Sequence, residues 1–369
     1  SRRKAGRPCS PAPKPAAAAK SAPQAAAPKS PVSSGFRIKD GVLVRYNGPG
    51  GDVVIPAGVK RISDEDAILG GAFDGRTDIT SVTFPEGMER IGSNAFVECT
   101  GLKRIVLPAG LQEISSNAFA GCTGLTQIAL PNSLKEIGSY AFEGCTGLKR
   151  IVLPAGLQEI GGGAFEDCTA LEAVDIPDSV TALRESAFSG CGNLTRVTLP
   201  AGLEKIGKSS FAFCGLQSIA LPAGLEKIEK SSFSFCELQS IALPAGVKEI
   251  GEEAFRGCGK LSEIVWPQTL QSIGAWAFRD CKNLPAVILP DGVTEIGERA
   301  FSGCAGLTEV MIPDSVAEIG KGAFSDCGKL RNVSLPGSVK KIGSGAFWHV
   351  PITVRGKKPL IKPIGWHKD

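Results

Sequence analysis

The sequence predicts a solenoid, a single elongated array of about thirteen coils of 22–23 residues with parallel strands along one side. The stretch CTGLKRIVLPAGLQEI occupies residues 99–114 and recurs letter for letter at residues 145–160. A looser copy, CTGLTQIALPNSLKEI, lies between them at residues 122–137 and sets the period at 23 residues. A proline follows the same strand-like phrase thirteen times, from Pro56 to Pro336. Repetition at this interval predicts stacked units that each contact only their neighbours.

A phenylalanine recurs in the same register from Phe73 to Phe347, and the exceptions to its spacing are informative. The steps that end at Phe233 and Phe255 are 22 residues long, because FAFCGLQ and FSFCELQ lack the residue that other units place between Cys and Leu. We expect this deletion to lie in a turn, where losing one residue does not disrupt a strand. The first unit is longer, with SDEDAILGG inserted before Ala72, as expected for a less regular terminal unit.

One unit has the phrase L-x-x-I-x-L-P-x-x-L-x-x-I-G-x-x-A-F-x-x-C, which residues 102–122 show well. Its I-x-L part alternates as a short strand does, so Ile105 and Leu107 should face the core. Arg104 and Val106 should then face outward. The proline that follows ends the strand, because it has no N–H to donate to a ladder.

The rest of each unit should carry the chain to the start of the next coil. A second extended piece, L-x-x-I-G, follows the proline turn, and the A-F-x-x-C segment fits a short turn of helix or 3₁₀ structure. Stacking would align the repeated Leu, Ile, Ala, Phe and Cys in internal columns and place thirteen parallel strands about 4.8 Å apart in one sheet. The predicted solenoid is therefore β-rich and curved, with short helical, 3₁₀ and irregular segments on the other face.

Charge and composition divide the chain into three parts. Residues 1–35 carry seven basic residues and no acidic one, and they have too few apolar side chains to offset the entropy of ordering. We expect a disordered basic tether there, acting as a spacer, although such a tail is also suited to an anionic membrane, a polyanion or nucleic acid. The array at residues 36–350, with an N-terminal capping unit at residues 36–72, has a formal charge of about −7. Residues 351–369 should form a C-terminal cap and a second basic tail.

Eleven of the twelve cysteines lie three residues after a repeat phenylalanine, from Cys99 to Cys327. Their regular register places them at equivalent inward positions, where a thiol packs as a small apolar group with a weak hydrogen bond. The expected separation of neighbouring coils, about 5–9 Å, overlaps the Cα–Cα span of a disulfide, about 4.4–6.8 Å, but pairing eleven cysteines would leave one unpaired. We therefore favour free buried thiols over bridges.

The unit phrase resembles that of the BspA-like leucine-rich repeats, found in treponemal and other host-associated bacterial surface proteins. The resemblance covers about 85% of the chain and includes the opening segment FRIKDGVLVRYNGPGGDVVIPAGVKRI at residues 36–62. It implies a curved leucine-rich repeat solenoid that is exported to the periplasm or cell surface and binds proteins such as host matrix components. No signal-like apolar segment is visible in the sequence, so this location follows from the resemblance alone. The last unit departs from the pattern, with Val350 where Cys is due.

The sequence lacks the features that several classes of protein require. No run of 18 apolar residues is present, so we expect a soluble chain without a transmembrane segment. The repeats contain no histidine, no G-x-S-x-G, no phosphate-binding glycine loop and no metal-ligand spacing, and the two histidines are His349 and His367. We expect no catalytic residue, no metal and no cofactor, and nucleic acid is not expected as a partner of the array.

The outward face of the strands is the predicted partner-binding site. The x of I-x-L is apolar in nine of thirteen units, and a long apolar stripe opposite the core usually marks an interaction surface. Beside it stand arginines on alternate coils, with glutamates farther along, a polarity that could orient a partner. The residues assigned to this site are Arg104, Val106, Arg150, Val152, Arg196, Val265, Ile288 and Met311. β-branched and small residues also suit a curved sheet without any partner.

Three functions are compatible with these patterns. We favour a non-catalytic binding protein that engages host matrix or envelope proteins through the sheet face, as in adhesion. In the alternative, the chain is a structural spacer or scaffold whose apolar stripe pairs with a second copy. In the third, the basic tether binds a polyanion, and binding would then depend steeply on salt.

Overall fold

The strands of this chain are short because each coil changes direction at a proline turn and again at a run of tight turns. The structure, a computed structural model, describes residues 35–62, 71–331, 333–350 and 352–355. Over these residues the predicted parallel solenoid of about thirteen coils is confirmed. The predicted tether lies outside the described residues except for Gly35, as do residues 63–70 of the long first unit and most of the predicted C-terminal cap.

Most coils contribute two strands. The strands are β1 Phe36–Lys39, β2 Val42–Tyr46, β3 Gly51–Val54, β4 Arg61–Ile62, β5 Ile79–Thr83, β6 Arg90–Ile91, β7 Arg104–Val106, β8 Glu113–Ile114, β9 Gln127–Ala129, β10 Glu136–Ile137, β11 Arg150–Val152, β12 Glu159–Ile160, β13 Ala173–Asp175, β14 Ala182–Leu183, β15 Arg196–Thr198, β16 Lys205–Ile206, β17 Lys227–Ile228, β18 Ser240–Ala242, β19 Glu249–Ile250, β20 Glu263–Val265, β21 Ser272–Ile273, β22 Ala286–Ile288, β23 Glu295–Ile296, β24 Glu309–Met311, β25 Glu318–Ile319, β26 Val333–Pro336, β27 Lys341–Ile342 and β28 Ile352–Arg355.

These strands form two parallel ladders along the array. The first ladder contains the I-x-L strands and divides into sheets β3-β5-β7, β9-β11-β13-β15, β18-β20 and β22-β24-β26-β28. The second ladder contains mainly two-residue strands and divides into sheets β1-β2-β4-β6-β8-β10-β12, β14-β16 and β17-β19-β21-β23-β25-β27. Only β1 and β2 are antiparallel, as a hairpin at the start of the described array.

The expectation of one continuous sheet of thirteen strands is wrong, and two of the interruptions have a visible cause. Residues 218–220 form no strand, and they follow the 22-residue unit that lacks one residue between Cys214 and Leu216. Between β20 and β22 the chain carries Pro285. The equivalent Ser262 donates its N–H to the Gln239 carbonyl of the preceding coil, and Pro285 has no such donor.

The predicted helical or 3₁₀ character of the A-F-x-x-C segment is also wrong, because the described coils contain hydrogen-bonded turns there and no helix. Successive backbone N–H groups of the segment donate alternately to a carbonyl of their own coil and to a carbonyl of the next coil. That of Val97 returns to the Asn94 carbonyl at 3.3 Å, whereas that of Phe96 reaches the Ala118 carbonyl of the next coil at 2.8 Å. Asn94 and Glu98 have left-handed backbones, with φ of 58° and 53°. A left-handed residue every few positions prevents a continuous helix. We call the exposed side of these segments the turn side.

A column of stacked rings runs through the core, among the buried Leu, Ile, Ala and Cys side chains that each coil repeats. Neighbouring repeat phenylalanines from Phe73 to Phe347 lie 4.6–5.7 Å apart between ring centroids, and their planes are nearly parallel. At the N-terminal end, Tyr46 packs 5.2 Å from Phe73 and Phe36 packs 4.6 Å from Tyr46. Burying each ring contributes roughly 1.5–3 kcal/mol, so the column accounts for much of the cohesion between coils.

Candidate functional site

The outward positions of the first ladder are exposed as the alternation predicts. Val106, Val265, Ile288 and Met311 keep 50–54% of their surface accessible, and Val152 keeps 77%. Their neighbours Ile105, Ile151, Val287 and Val310 are buried in the core. In these coils the strand presents one apolar side chain to solvent, while the adjacent side chain holds the coil to the array.

The apolar stripe is interrupted near the middle of the array. Asp175 and Thr198 face each other on β13 and β15, and the Thr198 hydroxyl donates to the Asp175 carboxylate at 2.6 Å. Arg196 also approaches that carboxylate, with Nη1 3.7 Å from Oδ1. This polar cluster divides the predicted site into an N-terminal segment at Val106 and Val152 and a C-terminal segment that begins beyond it.

The C-terminal segment is the larger apolar surface. Ile288 and Met311 occupy facing positions on β22 and β24. Val265 lies one coil earlier on β20, where it faces Ala242 of β18. Because Pro285 interrupts the ladder between β20 and β22, Val265 belongs to a different sheet from Ile288 and Met311. The sequence could not show this division, although the proline that causes it was visible.

The N-terminal segment is flanked by basic side chains. Arg104 on β7 and Arg150 on β11 are exposed and make no ion pair with any residue that the structure describes. Lys103 and Lys149 precede them and are also exposed, so each of these two coils presents two positive charges. These lysines were not predicted from the sequence, although the dipeptide KR stands inside the stretch that occurs twice. Arg196 differs from the other two arginines because its charge is partly neutralised by Asp175.

Most acidic residues of the first ladder lie away from these arginines, and the exceptions are Asp175, which approaches Arg196, and Asp52, which lies near Arg104. Glu263 and Glu309 are exposed beside Val265 and Met311 at the C-terminal end. Near Arg104, the Asp52 carboxylate accepts hydrogen bonds from the Ser81 hydroxyl at 2.6 Å and the Thr80 hydroxyl at 3.1 Å. These bonds lower the pKa of Asp52, so it remains charged at neutral pH. The face therefore has a mostly basic N-terminal end and an acidic C-terminal end.

The eleven repeat cysteines lie inside the array as free thiols. Each of the eleven donates from Sγ to the carbonyl oxygen of a repeat phenylalanine in the preceding coil, at 3.0–3.3 Å. Burial raises the pKa of Cys168 to about 12, and the same cause raises the others. These thiols have a packing role and do not offer a nucleophile at the surface.

The described residues offer little that could hold a metal or span a bilayer. No group of three or more His, Cys, Asp or Glu side chains within them could ligate a metal ion. Within the same residues, no helix is long and apolar enough to cross a membrane. The surface chemistry available on the first ladder is apolar contact combined with charge, which suits recognition of a macromolecule.

An aromatic pair on the turn side was not predicted from the sequence. Phe213 and Phe235 are 55% and 41% exposed, and their rings stack 4.8 Å apart. The signal was present in FAFC and FSFC, where a second phenylalanine precedes the cysteine.

Comparison with known proteins gives one family and a set of similar solenoids. The family model described as BspA type leucine rich repeat region (6 copies) matches residues 66–195, 181–270 and 248–355. A leucine rich cell surface protein from Faecalibacterium prausnitzii has 28% identity and a TM-score of 0.61, covering 90% of this chain and 96% of its own. A leucine-rich repeat protein from Bacteroides ovatus has 28% identity and a TM-score of 0.56, covering 86% of this chain and 94% of its own.

A third structure shares the fold alone. The pneumococcal vaccine antigen PcpA has 21% identity and a TM-score of 0.55, covering 86% of this chain and 92% of its own. No match was found among curated proteins.

Proposed function

Because the chain belongs to the BspA-type leucine-rich repeat family, we propose that it is a non-catalytic recognition protein that binds a protein partner through its first ladder. Leucine-rich repeat solenoids are generally non-catalytic, and the family is one of protein-binding surface repeats. The partner is an extracellular matrix or envelope protein, and the chain acts in adhesion at the cell surface or in the periplasm. The similarity to a leucine rich cell surface protein supports that location.

The observation that carries this proposal is the exposed apolar surface at Val265, Ile288 and Met311. Half or more of each side chain is accessible, and among the described residues only Val106 and Val152 of the same ladder are large aliphatic side chains of comparable exposure. Apolar side chains of this size are disfavoured in water, and monomeric proteins seldom expose them in a contiguous group. The basic side chains Arg104 and Arg150 at the other end would fix the direction in which a partner lies.

The test is a double substitution at the centre of that surface. Ile288→Glu with Met311→Glu introduces two charges where the partner would bury apolar groups, and both side chains point away from the core. We expect binding to a panel of purified extracellular matrix proteins and to a solubilised envelope fraction to fall at least about tenfold, as for central residues of an interface. Circular dichroism should show an unchanged array.

A matched control adds the same charge elsewhere. Thr181→Glu with Gln271→Glu changes exposed residues beside the second ladder, at β14 and β21. These substitutions should leave binding unchanged. If both double variants bind as well as the wild-type chain, the first ladder is not the recognition face and the proposal fails.

The alternative function is a scaffold that self-associates through the same apolar stripe. It predicts a dimer that the Ile288→Glu and Met311→Glu double variant converts to a monomer. The proposed recognition function predicts that this variant changes only the binding of foreign proteins.

A further inference from the structure

The sixteen-residue stretch that occurs twice presents the same group of exposed side chains twice on the first ladder. Each copy carries a Lys-Arg pair whose arginine begins a strand, and a valine that ends that strand. We call these groups subsite 1, which comprises Lys103, Arg104 and Val106 at β7, and subsite 2, which comprises Lys149, Arg150 and Val152 at β11. Because the two stretches have identical sequences, the two subsites offer a ligand the same chemistry.

The two subsites are separated by one coil without charge on this face. Thr126 and Gln127 occupy the equivalent positions there, and Gln127 faces Arg150 in the pairing of β9 with β11. Parallel strands lie about 4.8 Å apart, so positions two strands apart are separated by roughly 10 Å. Two identical groups at a fixed interval suit a ligand whose own chemistry repeats at that interval.

The positive charges of the subsites are not compensated within the chain. Elsewhere in the array, lysines contact a carboxylate of the neighbouring coil, as Lys227 does with Glu249 at 2.8 Å and Lys341 with Glu318 at 2.9 Å. None of the four cations of subsites 1 and 2 forms such an ion pair with a described residue. They are therefore available to an anionic ligand.

The acidic residues of these coils lie on other parts of the array. Residues 103–160 contain four of them. Glu113, Glu136 and Glu159 belong to β8, β10 and β12 of the second ladder, and Glu143 lies on the turn side. The first ladder of these three coils thus carries four positive charges and no negative charge.

Acidic side chains mark the limits of this basic surface. Asp52 lies two coils before Arg104, and its carboxylate accepts hydrogen bonds from Thr80 and Ser81. Glu172 is exposed one coil after Lys149, and the Asp175 cluster follows it. A ligand of the two subsites is therefore confined to about three coils, apart from the apolar surface at Ile288 and Met311.

The side chains of the subsites favour a sulfated sugar polymer over a nucleic acid. The planar guanidinium group binds tetrahedral and planar oxyanions through paired hydrogen bonds, and the lysine adds a second charge. Single-stranded nucleic acids bind proteins largely by stacking bases on aromatic side chains. The exposed aromatic residues of the described chain lie on the turn side, and none lies on the first ladder. The exposed valines instead offer small apolar contacts to the C–H faces of sugar rings.

We propose that subsites 1 and 2 bind a linear polysaccharide that carries one sulfate and one carboxylate on each disaccharide. Each Lys-Arg pair neutralises the two anionic groups of one repeat, and successive repeats occupy the two subsites. Two sugar rings of an extended chain are about as long as two strand spacings. This inference deepens the proposed function and rests on it for the extracellular setting of the ligand: a matrix glycoprotein would offer its polysaccharide to the N-terminal segment of the first ladder.

The test is calorimetric titration with a chondroitin sulfate hexasaccharide, which has this charge pattern. The basic termini of the chain would also attract a polyanion, so all proteins are the full chain with the Lys and Arg of residues 1–35 and 357–369 replaced by Gln. Lys103→Gln with Arg104→Gln should raise the dissociation constant at least about tenfold, because the second of two linked contacts is lost. Lys149→Gln with Arg150→Gln should have the same effect.

A matched control removes two positive charges from other parts of the coils. Lys321→Gln with Lys340→Gln changes exposed residues on the turn side and beside the second ladder. The affinity for the hexasaccharide should be unchanged. Circular dichroism should show an intact array for every variant, because the substituted side chains are exposed. If neither subsite variant weakens binding, or if the control weakens it equally, the proposal is overturned.

Ligand length and charge test the repeat. The parent chain should bind the hexasaccharide more tightly than the disaccharide, and each subsite variant should lose most of this preference. Desulfated chondroitin has the same backbone and half the charge, so its affinity should be lower. Affinity for the sulfated ligand should fall at least about tenfold between about 50 mM and about 200 mM salt. Equal affinity for the hexasaccharide and the disaccharide would overturn the assignment of two subsites.

Two further measurements separate this inference from its alternatives. Tighter binding of a single-stranded oligonucleotide of equal charge would assign the basic surface to nucleic acid and overturn the proposal. The Ile288→Glu and Met311→Glu double variant should bind the hexasaccharide as the parent chain does. Failure of protein recognition and failure of polysaccharide binding therefore give different results.

Discussion

The thiol of Cys145 donates a hydrogen bond to the carbonyl oxygen of Phe119, 3.2 Å away and one coil earlier in the array. That carbonyl also accepts the N–H of Cys122 within its own coil, at 3.1 Å. The same arrangement joins each repeat cysteine to the preceding coil. The cysteine column therefore links neighbouring coils through side chains in addition to the backbone ladders.

Removal of one thiol should destabilise the array moderately. Cys145→Ala loses a fully buried sulfur and its hydrogen bond, and we expect the free energy of unfolding to fall by about 1–2 kcal/mol in urea. Cys145→Ser should restore a donor at that position but should remain below the wild type, because a hydroxyl is more costly to bury than a thiol. If the Cys145→Ala variant has the same free energy of unfolding as the wild-type chain, the thiol does not contribute to stability.

The raised thiol pKa values predict a loss of stability at high pH. Burial raises the pKa of Cys99, Cys168, Cys258 and Cys327 from an ordinary value of 9.0 to about 12. Below pH 9.0 these thiols are protonated in both states, so they contribute no pH dependence. Between pH 9.0 and about 12 the unfolded chain loses protons that the folded chain retains, so stability falls as pH rises, by up to about 1.4 kcal/mol per pH unit for each thiol.

Urea unfolding measured from about pH 7 to about pH 11 checks this slope. The Cys145→Ala variant is the matched control, because it has one thiol fewer and the same lysines and tyrosines. The free energy of unfolding of this variant should fall less steeply with pH. The difference in free energy of unfolding between the variant and the wild-type chain should therefore become smaller as pH rises. Parallel slopes for the two proteins would contradict the assignment of this pH dependence to the thiols.

The left-handed positions of the turns predict different effects for two glycine substitutions. Gly144 has φ of 64° and room for a methyl group, since the nearest atoms would lie 3.8 Å from it. Gly144→Ala should therefore cost about 1–2 kcal/mol through backbone strain alone. At Gly202 no atom lies within 4 Å of the added carbon and φ is not left-handed, so Gly202→Ala should be neutral or slightly stabilising. Thermal melts of both variants give the comparison, and equal effects would exclude backbone strain as the cause.

The ring column predicts a difference between its centre and its end. Phe165 is fully buried, with rings stacked at 5.4 Å and 5.2 Å on its two faces. Phe165→Ala should destabilise by about 3–5 kcal/mol and leave a cavity. Phe347, whose stacking partner in the column is Phe324 at 5.2 Å, is slightly exposed, so Phe347→Ala should cost clearly less. Urea unfolding with hydrogen exchange should localise each effect to neighbouring coils, and equal losses would contradict a nearest-neighbour array.

The sequence was a good guide to the strands and their faces. Ile105 and Val106 alternate as the I-x-L pattern predicts, because the side-chain period of a strand is fixed by its backbone. The same pattern indicated the exposed positions of the candidate recognition face, including Ile288 and Met311. Their function remains a proposal, since exposure does not identify a partner.

The sequence was a poor guide to the turns and to the continuity of the sheet. Residues as different as Asn94, Tyr140 and Trp276 all take left-handed φ at equivalent positions. Their side-chain types do not indicate this, because the conformation is imposed by hydrogen bonds to the next coil. The break at Pro285 arises because this position would donate its N–H to a carbonyl of the preceding coil, and proline has no N–H. The pattern of hydrogen bonds between coils is not visible in the sequence.

The sequence by itself determined the repeat, its period and the inward or outward direction of each strand residue. These properties follow from the spacing of apolar side chains, which only one stacking register can bury. The tertiary structure decided which outward residues become neighbours, such as Phe213 and Phe235 on the turn side or Ile288 and Met311 on the first ladder. These neighbours are more than 20 residues apart in the sequence, because they belong to successive coils. Their contacts depend on the backbone hydrogen bonds between coils and on one-residue differences in coil length.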